Sequence, residues 1–196
     1  MAGKNADLEK LYGAIRKDRH YRMARMGKIF VPGIGLTKDA PIVLVGEAPG
    51  KKEEQQRLPF MGAAGKNLEA LLGGIGLSRN EVYITNLVKY RPTGKDGGNR
   101  CPSVGESKNA LPYLMNELTI LVPRVVVCLG LCSAKALLEE PKLKMDAANA
   151  HVFKKHGFEI LVTYHPSPNN FMISERRKGM ELAFQKLRDR YLIDVQ

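Results

Sequence analysis

Apolar residues recur at helical spacing in the first stretch of the chain, where Leu8, Leu11, Tyr12 and Ile15 predict a helix over Leu8–Tyr21. The turn Val31-Pro32-Gly33-Ile34-Gly35 separates it from a short apolar run, Pro41–Val45, that reads as a first strand. Asn67, Leu68, Ala70, Leu71 and Leu72 fit a helix stopped by Gly73-Gly74, and Val82–Val88 reads as a second strand. Lys89–Gly105 is polar, rich in glycine and long for a connection, so tight turns or a ligand must order it. Ser107–Leu121 predicts a helix, and Arg124–Leu129 a strand apolar on both faces and therefore buried. Ser133–Leu138 predicts another helix, Glu159–Tyr164 a fourth strand, and Ser174–Leu192 an amphipathic helix with Ser174 as N-cap. Strands alternating with helices imply one α/β domain over residues 1–196. Its expected architecture is a three-layer α/β/α sandwich around a four-stranded, mostly parallel sheet.

Chemistry collects where those strands end. The first strand runs into Gly46-Glu47-Ala48-Pro49-Gly50-Lys51-Lys52-Glu53, and Pro59-Phe60-Met61-Gly62 follows shortly after. The carboxyl edge of an open α/β sheet is where ligands are held. Glycines there let backbone N–H groups approach a polar ligand, Pro49 stiffens the turn, and Phe60 offers a flat face to a planar ring. The other exits carry Asn86 and Lys89, Gly130, and His165. Taken singly, Phe60 reads as packing, Asn86 as a turn residue, His165 as the close of a strand and Glu47 as a solvated carboxylate. Together at one rim they form the parts of a pocket for a nucleobase.

Charge narrows the partner. Lysine and arginine number 31 against 20 acidic residues, a net +11 that attracts polyanions, nucleic acid first among them; the plainer alternative is a soluble basic protein. Three cysteines, Cys101, Cys128 and Cys132, are an odd count that argues against a disulfide framework and for a reducing, intracellular setting. No apolar run reaches the roughly 18 residues that span a bilayer, and the first residues lack a signal-peptide core.

The motifs Gly46-Glu47-Ala48-Pro49-Gly50, Pro59-Phe60-Met61-Gly62, Thr85-Asn86-Leu87-Val88-Lys89, Arg91-Pro92 and Tyr164-His165-Pro166-Ser167, in this order and spacing, resemble the uracil-DNA glycosylase superfamily. Within it, the chain is most similar to the family 4 branch. The resemblance implies an enzyme that flips deoxyuridine out of DNA, hydrolyses its N-glycosidic bond and leaves an abasic site. It assigns Phe60 to stacking, Asn86 to reading O4 and N3–H of uracil, and His165 to uracil O2. Glu47 would act on the attacking water or the cationic sugar, with Ala48 beside the base and Glu53 filling the space next to base carbon 5. Lys51, Lys52, Lys89, Arg91 and Arg100 would contact DNA, joined by Lys95 and Arg176-Arg177-Lys178, and Ser167 would grip a phosphate. Phe171 or Met172 would wedge into the vacated stack.

The departures from the resemblance are also informative. Family 4 proteins hold an iron–sulfur cluster on four cysteines; here Asp18, Tyr21, Tyr90 and about Ala110 stand at those positions. Three sulfurs cannot make a four-thiolate site, so the expectation is no metal and no cofactor, with Tyr21, Tyr90 and Tyr113 packing in its place. Ala48 stands where the better-studied branch has an aspartate, so the role of Glu47 is an inference. The long loop lacks the nucleophilic histidine of a covalent variant of the superfamily, and Cys101 reads either as a nucleophile or, more simply, as a loop thiol. The expected partner is uracil-containing DNA, single- or double-stranded, bound by a monomer without a membrane, with a replication or repair protein as a further possible partner. Two rival readings stay open: a non-catalytic module that tethers a replication partner, and a glycosylase for another modified pyrimidine such as 5-hydroxymethyluracil.

Overall fold

In a computed structural model, which describes residues 2–192 apart from 24 and 40, the apolar runs become the inner strands of one sheet. The strands are β1 (Ile34–Gly35), β2 (Ile42–Gly46), β3 (Tyr83–Asn86), β4 (Val125–Leu129), β5 (Val152–Lys155) and β6 (Phe158–Thr163), in the order β1-β3-β2-β4-β6-β5. The inner four are parallel, as expected, but the sheet has six strands rather than four, because antiparallel β1 and β5 pair on its two edges. Both additions lack an apolar run: β1 is two exposed residues, and β5 reads Val-Phe-Lys-Lys. A two-residue turn with positive φ at His156 and Gly157 joins β5 to β6 and suits the twist of a hairpin.

Side chains alternate along each strand and so feed two separate cores. Val43, Val45, Val126, Cys128, Ile160 and Val162 pack on one face against α1 (Ala2–Lys17), α4 (Val104–Leu121) and α5 (Leu131–Leu138). Ile42, Leu44, Val125, Val127 and Leu161 pack on the other against α3 (Ala63–Gly73) and α8 (Ser174–Tyr191). The three layers are thus present. From central β2 the chain steps to β3 on one side, then crosses back to β4 on the other, so the topological switch lies at the carboxyl ends of β2 and β4.

Short helices fill the connections: α2 (Lys51–Gln56) follows β2, α6 (Met145–Ala148) precedes β5, and α7 (Pro168–Phe171) follows β6. The first helix ends at Lys17 rather than Tyr21, since the Asp18 carboxylate accepts from the His20 N–H at 2.8 Å and the Tyr113 hydroxyl at 2.8 Å and turns the chain. Ser174 is not the N-cap of α8. Ile173 adopts the extended cap conformation instead, and no side chain caps that end.

The expected tyrosine packing is seen. Tyr21 meets Tyr90 and Tyr113 edge-on, with ring centroids 5.9 and 5.3 Å apart, and Tyr90 meets Phe30 at 5.6 Å. The Tyr21 hydroxyl accepts from the Lys89 N–H at 2.9 Å, and Ala110 is buried in the same core. Rings, a methyl and one carboxylate occupy the positions matched to cluster ligands, and this set does not fit a four-thiolate group.

Candidate active site

Three strand exits, those of β2, β3 and β6, converge on a cleft of about 340 Å³ lined by Glu47, Ala48, Glu53, Phe60, Asn86, Asn99, Arg100 and His165, among others, while Gly130 at the exit of β4 does not line it. The register places Gly46 beside Asn86, and Glu47 continues the pairing as its carbonyl accepts from the Val88 N–H at 3.0 Å. Gly46 is required here: a Cβ would lie 2.7 Å from two Phe60 ring carbons and closer still to Asn86 Oδ1. Asn86 is 4 % exposed, yet its amide makes no hydrogen bond to a side chain or main chain among the described residues, and it lines the cleft. No side-chain N or O among the described residues is both buried and unpartnered, so the Asn86 amide is reached by solvent through the cleft, where both its donor and its acceptor are open to a ligand.

Phe60 is held in a left-handed conformation, φ 55°, which a bulky side chain adopts only under constraint. The constraints are local. Arg79 donates to the Pro59 carbonyl at 2.9 Å and the Phe60 carbonyl at 3.4 Å. Glu53 accepts from the Met61 and Gly62 N–H groups at 2.8 and 2.7 Å, while its other oxygen accepts from Gly50 at 3.1 Å, one half of a capping box on α2. Glu53 therefore lines the cleft and also ties its two motifs together. The Phe60 and His165 rings are tilted 29° from parallel with centroids 5.9 Å apart. His165 fits beside Gly130, whose φ of 107° and missing Cβ leave it room, and the loop after it is tied to α3 and α7 by Asn67 and Asn170.

Burial separates the titrating groups. Removal from water pushes His165 down to about 4 against the opposing pull of the Glu53 carboxylate, so the imidazole is neutral at pH 7. Burial pushes Glu47 above the ordinary carboxylate range, and the Cys101 thiol, donating to it, limits the rise. The same Glu47 charge, together with burial, pushes the Cys101 thiol up, which keeps it a protonated donor rather than a thiolate. Among the described residues no three His, Cys, Asp or Glu groups cluster closely enough to hold a metal ion.

The cations read as DNA contacts divide sharply. Lys51 and Lys52 are exposed on the cleft rim, and Lys95 and Arg176-Arg177-Lys178 are exposed elsewhere. Lys89 is not a surface contact: its side chain is 1 % exposed and its ammonium lies 2.5 Å from Glu117 on α4. Arg91, only 11 % exposed, orders the long loop by binding Asn99, the Gly97 carbonyl and Glu54. Arg100 lines the cleft while pairing with Glu106 at 2.6 Å. Ser167 caps α7, accepting from the Asn170 N–H at 3.4 Å, and is half-buried. Phe171 lies under Arg177, whereas Met172 is 85 % exposed. Sequence reading gave no role to Asn99, Asn67 and Arg79: the carbonyls bound by Asn67 and Arg79 lie 99 and 20 residues away, and Asn99 is one polar residue in a loop of them. No helix among the described residues is long and apolar enough to cross a membrane.

A family model described as the uracil DNA glycosylase superfamily matches residues 32–188. Three curated relatives share the name Type-4 uracil-DNA glycosylase. That of Pyrobaculum aerophilum is 36% identical over 95% of this chain and 97% of its own. That of Saccharolobus solfataricus is 35% identical over 93% and 86%, and that of Archaeoglobus fulgidus is 39% identical over 81% and 80%. With the cleft residues supplied by the strand exits of this fold, and with matches of this extent, the chain belongs to the uracil DNA glycosylase superfamily.

Proposed function

We propose that the protein is a DNA-repair enzyme that hydrolyses the N-glycosidic bond of deoxyuridine, releasing uracil and leaving an abasic site. The observation that carries this reading is the unpartnered Asn86 amide, packed with Phe60 around the bare backbone of Gly46, in one cleft with Glu47 and His165. A flipped uracil stacks on Phe60, and Asn86 accepts from its N3–H and donates to O4, a pattern that cytosine reverses. Neutral His165 donates to O2. As the C1′–N1 bond breaks, its electron pair leaves on the uracil ring, and a donor placed there is worth about 3 to 4 kcal/mol to the transition state. Water attacks C1′, and Glu47 orients that water, stabilises the cationic sugar and accepts the proton the water loses.

Lys51, Lys52 and Arg100 hold phosphates around the cleft, Ser167 flanks the flipped nucleotide, and exposed Met172 is the wedge that fills the vacated stack. The described side chains supply every role, so this reading needs neither a metal nor a cluster. The substrate of this reading is uracil-containing DNA. The test is base release from DNA containing uracil, hypoxanthine, xanthine or oxidised pyrimidines. Uracil release by the wild type, reduced by two to three orders of magnitude in Asn86→Ala or His165→Ala, is expected from a loss of about 3 to 4 kcal/mol. DNA binding with background abasic-site yield over a wide salt range would refute it.

A further inference from the structure

Lys89 and Glu117 form a buried ion pair that the glycosidic chemistry does not touch. The two side chains are 1 % and 0 % exposed, and the ammonium has three acceptors for its three protons: Glu117 Oε2 at 2.5 Å, the main-chain carbonyl of Asn86 at 2.9 Å, and Thr85 Oγ1. Glu117 is saturated in turn. Its other oxygen accepts from the Tyr12 hydroxyl at 2.5 Å, Thr85 at 3.1 Å and Tyr83 at 3.3 Å. Burial and the Glu117 charge push the Tyr12 and Tyr83 phenols upward, so both stay protonated donors. A buried pair of this kind gives little stability over a well-packed apolar pair of the same volume, so its presence asks for another role.

Its position suggests that role. Asn86 is the last residue of β3, and its carbonyl points away from the ladder that fixes the strand before it. The direction of that carbonyl sets the Asn86 backbone, and the backbone sets where the Cβ and amide aim. We propose that the Lys89–Glu117 pair is a positioning post that clamps the Asn86 main chain and thereby fixes the aim of the base-reading amide. Lys89 and Glu117 are then specificity-determining residues that act through Asn86, and the proposal rests on the reading of Asn86 given above. The post is also reached from behind, because the Lys89 N–H donates to Tyr21 in the aromatic cluster.

The test is the paired variant Lys89→Met/Glu117→Gln, which removes both charges and keeps an acceptor for Tyr12, Tyr83 and Thr85. Thermal unfolding checks the fold. Inhibition by free uracil reads the grip on the base without DNA, single-turnover release reads the chemistry, and the salt dependence of DNA affinity reads phosphate contacts. A folded variant is expected to bind free uracil about tenfold more weakly and to release uracil about ten- to a hundredfold more slowly, since a misplacement near 1 Å costs on that order. Its slope of log affinity against log salt should equal that of the wild type. Wild-type uracil inhibition and release in the folded variant would overturn the proposal, as would a slope reduced by about one, the signature of a lost phosphate contact. If the pair does not fold, Glu117→Gln alone, which cancels the charge holding the ammonium, is read by the same criteria. Asn86→Ala separates the two levels. If Asn86→Ala itself leaves uracil inhibition unchanged, the base-reading role falls and the post with it. If it abolishes inhibition while the paired variant does not, the post alone falls.

Discussion

Gly46→Ala tests the geometry of the cleft with one methyl group. The added Cβ would lie 2.7 Å from Phe60 Cε2 and Cζ and nearer still to Asn86 Oδ1. Carbon contacts settle at about 3.5–4.0 Å, so the ring must retreat by roughly 0.8 Å and the amide by about an ångström. The backbone cannot yield instead, because β2 is buried and paired to both β3 and β4. Nor does the new side chain add backbone strain, since Gly46 is absent from the left-handed region. Overpacking of this kind costs about 1–3 kcal/mol of stability. A displacement near 1 Å at a group that reads the substrate costs about a hundredfold in rate, or roughly 2.7 kcal/mol. The measurement is single-turnover uracil release at saturating DNA, with thermal unfolding alongside. In an Asn86→Ala background the same substitution should cost less, because one of the two displaced groups is already gone and only the Phe60 ring remains to move. A folded Gly46→Ala protein releasing uracil within about threefold of wild type would show that neither group needs its observed position.

The remaining predictions concern charge, DNA and the aromatic cluster. Glu47 must be ionised to accept a proton, so release falls as pH drops through its raised value, with a midpoint above the usual carboxylate pKa of about 4.3. His165 stays neutral until about 4, which assigns the first acid limb of a pH–rate profile to Glu47, and Glu47→Gln should flatten it. Lys51→Ala/Lys52→Ala should lower the slope of log affinity against log salt by about two, read by titration over a range of salt, if both lysines hold phosphates. Tyr21→Phe leaves the buried Lys89 N–H without its acceptor and should lower stability by about 1–3 kcal/mol in denaturant unfolding.

The inner sheet and the cleft were legible in the sequence for the same reason. Buried parallel strands are continuous apolar runs, and the residues that end them must be polar and turn-forming, so Glu47, Asn86 and His165 stand out against what precedes them. Edge strands and capping helices carry no such contrast. In β1 two exposed residues pair with β3, and α2 is wholly polar, Lys51 to Gln56, so no periodicity marks it. Lys89 misled for a different reason: it borders a polar loop, and its partner lies 28 residues further on. Yet a signal existed. Glu117 shares one face of α4 with Leu114, Leu118 and Leu121, all fully buried, and a carboxylate on an apolar face demands a cation.

In the proposed positioning role Lys89 acts on the site from within the core, because its contacts join the aromatic cluster to the exit of β3. The Tyr21 hydroxyl takes the Lys89 N–H on one side, and the Lys89 ammonium takes the Asn86 carbonyl on the other, so a single residue spans from the tyrosine rings to the exit of β3. Tyr113 and Asp18 fix Tyr21 in turn by packing and by a 2.8 Å hydrogen bond between α4 and the end of α1. In the proposed positioning role, docking of α1 on α4 is coupled to the aim of Asn86 through Tyr21, whose buried hydroxyl bonds the Lys89 N–H and the Leu87 carbonyl just past the end of β3.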